Sequence, residues 1–353
     1  MEQSSPQLFQ AQDTPRQILI TGGAGFIGSW LVRHWLRHYP GDQVINLDLL
    51  TYAGNLDNLR DVEANANYRF VHGDITDEVL VHRLMGEVDV VINVAAQTHV
   101  DRSISGPTVF VQTNVLGTQV LLEAARQARL LNGRLQKFIQ ISTDEVYGSL
   151  GETGHFSENS PIDPSSPYSA SKTAADLLAL SYFTTFGLPV CVTRCSNNYG
   201  PYQFPEKLIP LFILNASQDI SLPVYGDGLN VRDWIHVEDH NAAIDRVVSD
   251  GRPGQVYNIG ANNEWDNLSI TRAILKHLNK PESLIRFVDD RLGHDRRYAI
   301  DSSKIQQELG WTPKHTFADG LPQTIDWYLS HPDWIENLKH RKQAEAETEF
   351  AGL

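Results

Sequence analysis

The run Gln17-Ile-Leu-Ile-Thr-Gly22-Gly-Ala-Gly25-Phe-Ile-Gly28 decides how this chain folds. Gln17 to Thr21 is a short, almost continuous apolar stretch, the pattern of a strand covered on both faces. The glycines that follow sit where glycine is needed. Gly22 permits the tight turn out of the strand, Gly25 lets backbone approach a pyrophosphate, and Gly28 lets the next helix pack closely on the strand. Apolar periodicity predicts that helix from about Phe26 to His38. A helix starting at such a turn presents unpaired N–H groups and a partial positive charge to phosphate oxygens. The next strand, Gln43 to Asp48, ends in a carboxylate 20 residues beyond Gly28. A carboxylate there accepts hydrogen bonds from ribose hydroxyls and repels a 2′-phosphate, which favours NAD over NADP. No Arg or Lys occurs within 21–29 or 46–59 to offset that repulsion.

Working outward, apolar strands are expected at Tyr68 to His72, Val88 to Asn93, Lys137 to Ser142 and Pro189 to Cys195. Helical patterns lie between them, notably about Thr108 to Leu131 and from Pro167 onward. Continuous strands with helical crossovers predict an α/β fold: a doubly wound, Rossmann-type parallel sheet with helices on both faces. After Cys195 the alternation loosens and Pro, Gly and Asn accumulate, as in Gly200-Pro-Tyr-Gln-Phe-Pro205. A smaller C-terminal substrate-binding domain is expected there. The expected division is a cofactor domain over 16–195, a second domain over 196–335, and polar tails at 1–15 and 336–353. Part of 231–260 is expected to return to the first domain, because Val256-Tyr-Asn-Ile259 again reads as a buried strand.

A chain of 353 residues is long enough for two such bodies. Its 43 acidic residues against 29 basic ones, a net charge of −14, argue against a nucleic-acid-binding surface. No stretch approaches the roughly 18 apolar residues of a membrane helix. The polar start lacks the apolar core of a signal peptide, so a cytoplasmic protein is expected. The two cysteines, Cys191 and Cys195, are four residues apart on one strand, roughly 13 Å, too far to bridge. They are read as reduced packing residues. With no Cys/His spacing around them, no structural zinc site and no metal are expected.

Two constellations carry chemistry. Tyr168-Ser-Ala-Ser-Lys172 opens a helix, and i,i+4 spacing puts phenol and ammonium on one face. The ammonium is expected to bring the phenol from its usual pKa of about 10 toward neutrality, making Tyr168 an acid/base for hydride chemistry. The strand before it ends Ile139-Gln-Ile-Ser-Thr143-Asp144-Glu145-Val-Tyr-Gly. Thr143, Asp144 and Glu145 therefore fall just past a carboxyl strand end, where doubly wound sheets bind ligands. Adjacent carboxylates suit proton removal and proton donation, with one ionised and one held protonated by its surroundings.

With these motifs in place, about Arg16 to Tyr328 resembles the extended short-chain dehydrogenase/reductase family, and within it the enzymes that dehydrate nucleotide-linked hexoses. The resemblance rests also on His72-Gly-Asp-Ile75, Asn93-Val-Ala-Ala-Gln-Thr-His-Val-Asp-Arg-Ser-Ile104, Thr113-Asn114 and Arg194-Cys-Ser-Asn-Asn-Tyr-Gly-Pro-Tyr-Gln-Phe-Pro-Glu-Lys-Leu-Ile-Pro210. Later runs are Arg232-Asp-Trp-Ile-His-Val-Glu-Asp-His240 and Gly293-His-Asp-Arg-Arg-Tyr-Ala-Ile-Asp301.

The resemblance implies that Tyr168 takes the C4 hydroxyl proton, with Lys172 holding the nicotinamide ribose and Thr143 bonding the C4 oxygen. It implies that Glu145 removes the C5 proton and Asp144 protonates the departing C6 hydroxyl. Its cofactor positions, beyond the glycines, are Phe26, Ile27, Asp48, Leu49, Leu50, Thr51, Asp74 and Ile75. They continue with Val94, Ala95, Ala96, Gln97, Thr98, Thr113 and Asn198, together with Tyr168 and Lys172. Gln97 stands where family members often carry Glu, beside the nicotinamide. Its substrate positions are Thr98, Thr143, Asn197, Lys207, Leu208, Pro223, Val224, Tyr225, Arg232 and Asn267. They end with the run His294, Asp295, Arg296, Arg297 and Tyr298. Arg232 and Arg297 suit a diphosphate, which a guanidinium fork matches.

The implied substrate is a dTDP-linked glucose, with a UDP-linked hexose or a 4-epimerase reaction as the nearest alternatives. A non-catalytic NAD-binding regulator would need the glycines but not the Tyr168/Lys172 pair. The helices near Thr108 and Tyr168 are apolar on several faces (Val115, Leu116, Val120, Leu121, Leu122; Leu177, Leu178, Leu180, Phe183). A helix apolar all round is buried, and the family pairs these helices across a dimer, so a homodimer is expected.

Overall fold

The computed structural model describes residues 15–290 and 293–339. The first half contains β1 (Gln17–Thr21), α1 (Phe26–His38), β2 (Gln43–Asp48), β3 (Tyr68–His72), α2 (Glu78–Met85), β4 (Val90–Asn93) and α3 (Val100–Ser105). Then come α4 (Thr108–Phe110), a π-helical stretch Val111–Gly117, α5 (Thr118–Asn132), β5 (Lys137–Thr143), α6 (Pro167–Phe186) and β6 (Val190–Cys195). The second half has β7 (Asn197–Tyr199), α7 (Leu208–Ser217), β8 (Leu222–Tyr225), β9 (Val231–His236), α8 (Val237–Asp250), β10 (Val256–Ile259) and β11 (Glu264–Asp266). It ends with α9 (Asn267–His277), β12 (Ile285–Val288), α10 (Ser303–Leu309) and α11 (Phe317–Ser330).

Seven strands form one sheet in the order β10-β6-β5-β4-β1-β2-β3, every neighbouring pair parallel. Alternate residues of β1 serve opposite faces, as the pleat requires. Ile18 and Ile20 pack with α1 and α8, whereas Leu19 packs with α2, α5 and α6. Strand order reverses between β1 and β4, so the crevice beyond their carboxyl ends is where such a sheet binds ligands. Thr21 Oγ1 donates to Asn93 Oδ1 (2.6 Å) and Asn93 Nδ2 donates to Gln140 Oε1 (2.8 Å), tying β1, β4 and β5 together just below that crevice.

A three-stranded sheet, β11-β9-β7, and a parallel pair, β12-β8, lie beyond the carboxyl ends of the main sheet, with α7, α9 and α11 forming a separate core around Phe212, Ile274 and Ile325. Two features cross the expected boundaries. Ile305, Leu309 and Trp311 pack into the first core although they lie within 196–335. Residues 336–339 continue a helix that begins at 332, and Leu338 is buried in the second core, so the expected tail starts too early. Residues 1–14 and 340–353 of the two expected tails, together with Arg291 and Leu292, lie outside the described residues. Finally, the long helices are not closed over within the chain: Val111, Leu116, Leu177 and Phe186 are about half exposed. Among the described residues no helix is long and apolar enough to cross a membrane.

Candidate active site

The crevice over β1 and β4 is a cleft of about 370 Å³. A second cavity of about 280 Å³ adjoins it, and the two share Thr98, Glu145, Asn197, Glu206, Lys207, Leu208 and Trp234 in their walls.

The glycine loop is shaped as the sequence requires. Gly22 has φ +68°, and a Cβ there would lie 2.7 Å from the Ala95 backbone. A Cβ on Gly28 would lie 2.1 Å from the Gly22 carbonyl oxygen. Gly25 caps α1, no side chain caps that helix, and its first turn holds no acidic residue. Its first-turn N–H groups therefore face the cleft as anion donors. Asp48, at the end of β2, accepts from Ala24 N–H at Oδ2 (2.9 Å) and from Leu50 N–H at Oδ1 (2.8 Å). A carboxylate oxygen can accept more than one hydrogen bond, the capacity a ribose hydroxyl requires. These observations fit a dinucleotide with an unmodified ribose.

All the cofactor positions expected from the sequence line this cleft except Leu50. Leu50 takes φ +55°, held by its bond to Asp48, and serves the turn instead of the wall. Thr113 reaches the cleft from the π-helical stretch, and π segments are frequent at functional sites. Gln97 is buried, and its backbone exchanges bonds with Asn114: N–H to Oδ1 (2.8 Å) and Nδ2 to O (3.0 Å). The sequence reading missed Tyr52, Glu206 and Trp234 in the walls. Two of these adjoin expected residues, Thr51 and Lys207, which was the available signal.

At the end of β5, Thr143 leads into a short 3-10 turn, Asp144–Tyr147. Asp144 is buried and its Oδ2 has no hydrogen-bond partner. Burial first, then the charges of Glu145 and Asp233, raise its pKa well above the usual carboxylate range, which favours its protonated form. Glu145 is half-buried and lines both cavities. Thr143 Oγ1 donates to Asp144 Oδ1 (3.3 Å).

Tyr168 and Lys172 stand together on α6, whose start is fixed by a Ser166/Ser169 capping box and Pro167. Lys172 Nζ donates to the Ile141 carbonyl (2.6 Å) and burial lowers its pKa. The expected lowering of Tyr168 is not present. Burial, then Glu145, push the phenol well above its usual value, while a Thr143 hydrogen bond opposes them. Desolvation of a fully enclosed phenol beside carboxylates outweighs a lysine that is itself buried and bonded to a carbonyl.

On the substrate side, Leu208, Pro223, Val224, Tyr225, Arg232, Asn267, His294 and Tyr298 converge on the second cavity with the shared residues. Arg232 is buried against the Tyr298 ring (4.3 Å) and bonded to the Asp295 carbonyl (2.9 Å). Asp295, Arg296 and Arg297 are not in either wall. Arg297 is turned into a two-pronged bond with Glu264 (2.7 and 2.9 Å), Arg296 pairs with Asp227, and the Asp295 carboxylate takes bonds from Ser165 and Tyr298. In this arrangement carboxylates from other parts of the chain pair with the guanidinium groups of Arg296 and Arg297.

The sheet order, the glycine turn at its switch point and the Tyr168/Lys172 pair define the class, an extended short-chain dehydrogenase/reductase. A family profile described as GDP-mannose 4,6 dehydratase matches residues 19–324. The chain is 53% identical over 335 residues to a dTDP-glucose 4,6-dehydratase of Xanthomonas campestris, covering 91% of this chain and 95% of that one. A crystal structure of a dTDP-glucose 4,6-dehydratase from Streptomyces venezuelae with NAD bound is similar at TM-score 0.88 and 50% identity, covering 91% and 99% of the two chains. A UDP-glucose 4-epimerase from Thermotoga maritima is more distant, with TM-score 0.82 and 28% identity over 89% of this chain and 99% of that one. The chain belongs to the dTDP-glucose 4,6-dehydratase family.

Proposed function

We propose that this protein is an NAD-dependent hydro-lyase that converts dTDP-glucose to dTDP-4-keto-6-deoxyglucose and water. The observation that carries the reading is the unlike pair at the end of β5. Asp144 is buried, which favours its protonated form, and Glu145 opens to both cavities, beside Tyr168 and Lys172. An epimerase has use for the Tyr168/Lys172 pair but not for this second acid/base pair.

NAD bound there would supply the hydride acceptor for C4 and donor for C6, and a positively charged ring that would favour the Tyr168 phenolate. Asp48 and the α1 N-terminus hold it through ribose and phosphate. Tyr168 accepts the C4 hydroxyl proton, aided by Lys172, while Thr143 bonds the C4 oxygen. The resulting ketone acidifies C5, and Glu145 removes that proton. Asp144, through its unpartnered Oδ2, protonates the C6 hydroxyl, which leaves as water. Glu145 then returns its proton to C5. Asn197, Lys207 and Arg232 orient the nucleotide portion from the second cavity, with Arg232 the guanidinium for the diphosphate.

Two copies pair through α4–α5 and α6, a reading supported by the exposed apolar groups Val111, Leu116, Leu177 and Phe186. Buried free cysteines support a cytoplasmic setting, and the acidic balance supports a partner list without nucleic acid. The test is incubation with dTDP-glucose deuterated at C4, beside UDP-glucose as competitor. The expected product has lost water and carries deuterium at C6, with no lasting NADH absorbance. NADH accumulating in proportion to product would instead mean a simple sugar dehydrogenase.

A further inference from the structure

We propose that His236, Glu238 and His315 form a divalent transition-metal site separate from the catalytic cleft. His236 closes β9, Glu238 lies in the first turn of α8, and His315 lies in the segment leading into α11. One ligand atom from each is within 4.8 Å of the other two. Glu238 Oε2 is 3.6 Å from His315 Nε2 and 4.0 Å from His236 Nδ1. Donors around a tetrahedral ion with bonds of about 2.0–2.1 Å stand about 3.3 Å apart, so movements of less than about 1 Å close the site. Among the described residues, His236 Nδ1 accepts one long bond, from Glu238 N–H (3.4 Å).

The site is also supported from behind. Asp239 Oδ2 accepts both the Lys314 N–H (3.0 Å) and the His315 N–H (2.8 Å), which fixes the segment carrying the second imidazole. Asp239 Oδ1 lies 3.1 Å from His315 Nδ1. A carboxylate behind one ring nitrogen fixes the tautomer that leaves the other as a metal ligand. The two imidazoles are 4.2 Å apart, and Tyr199 holds His236 edge-on at 5.3 Å. His236 is buried whereas the Glu238 side chain is 42% exposed, so an ion has an open approach. Two imidazoles and one carboxylate suit Zn²⁺, Co²⁺ or Ni²⁺ over Ca²⁺ or Mg²⁺, and leave a position for water.

Cysteine spacing could not reveal such a site, because its ligands come from imidazoles far apart in the chain. Its effect is structural: the ion joins α8, packed on the main sheet, to the segment before α11, packed in the second core. An ion bound only by the folded chain raises its stability.

The test titrates tag-free, full-length protein with Co²⁺, followed by visible absorption, and with Zn²⁺, followed by thermal melting. Expected are saturation at one Co²⁺ per chain and a rise in Tm with Zn²⁺. Glu238→Gln and His315→Ala should each weaken binding by at least about tenfold and abolish the Tm rise. Both variants should keep wild-type turnover, and their Tm in chelator should match wild type, showing an intact fold. Absence of saturable binding in wild type overturns the site. So does undiminished binding in both variants, which would place the ion elsewhere, for example at the stacked His34/His38 pair.

Discussion

Asp48→Ala tests the cofactor reading and the loop architecture together. The Asp48 carboxylate is buried and accepts two backbone N–H groups, one from the glycine turn and one from Leu50. A hydrogen bond to a charged group contributes about 1.5–3 kcal/mol, less where water can replace the partner. Leu50 adds a second debt, since its φ of +55° costs a non-glycine residue about 1–2 kcal/mol unless something holds it. With Asp48 gone, Leu50 relaxes, which recovers part of the loss. A net destabilisation of about 2–4 kcal/mol follows, or about 3–5 °C in Tm at about 2.1 cal/mol/K per residue.

Cofactor binding should suffer in a way that stability alone does not explain. NAD loses its ribose bonds to the carboxylate, about 1.5–3 kcal/mol, whereas NADP loses the repulsion that disfavoured it. The NAD-to-NADP affinity ratio should therefore fall by at least about tenfold, the equivalent of 1.4 kcal/mol. Calorimetric titration of both nucleotides against wild type and Asp48→Ala measures that ratio. An unchanged ratio, with Tm lowered as expected, would leave Asp48 a turn residue and remove it from cofactor selection.

Glu145→Gln should abolish exchange of the substrate C5 hydrogen with solvent deuterium while hydride loss from C4 survives; native-rate exchange would place the base elsewhere. Asp144→Asn tests the protonated acid through stability. Its folded pKa is raised, so its contribution is full below the unfolded value and is lost as pH rises through the folded one. The uncharged variant should thus gain on wild type in urea melts as pH increases, and a difference that stays flat from acid to alkaline pH would refute the burial argument. Thr143→Val should slow steady-state turnover more than the first turnover, with Thr143→Ser restoring it; equal slowing of both phases assigns Thr143 to positioning alone.

How much of this was legible in the sequence depends on the range of the forces involved. The bounds of β1, α1, β2 and β3 follow from local patterning, and Gly22 and Gly28 are glycines because a Cβ meets backbone there. Short helices are another matter. α2 has 8 residues and α10 has 7, barely two turns, too few for apolar periodicity to stand out. The tail residue Leu338 sits in a polar stretch and is buried because the second core reaches it, which composition does not report. Within the site, Asp144 and Glu145 stand out because two carboxylates beside an apolar strand are costly without a purpose. The partner of Arg297 was hidden for the opposite reason: Glu264 comes to its guanidinium from another part of the chain, which spacing does not report. The phenol of Tyr168 shows the same limit, since spacing reveals its lysine neighbour but not its enclosure.

Proton accounting explains why Thr143 stands between the two acid/base pairs. One turnover takes a proton from the C4 hydroxyl to Tyr168 and another from C5 to Glu145. The second returns to C5 from the same carboxylate. The water that leaves carries a proton from Asp144, so each cycle ends with Tyr168 one proton richer and Asp144 one poorer. Both groups are buried, and both are driven by their surroundings toward the protonated state. Bulk solvent is therefore a poor route for the transfer. Thr143 Oγ1 is bonded to Asp144 Oδ1 and hydrogen-bonds Tyr168, and a hydroxyl can accept from one side while donating to the other. That places a short relay across the gap the chemistry opens.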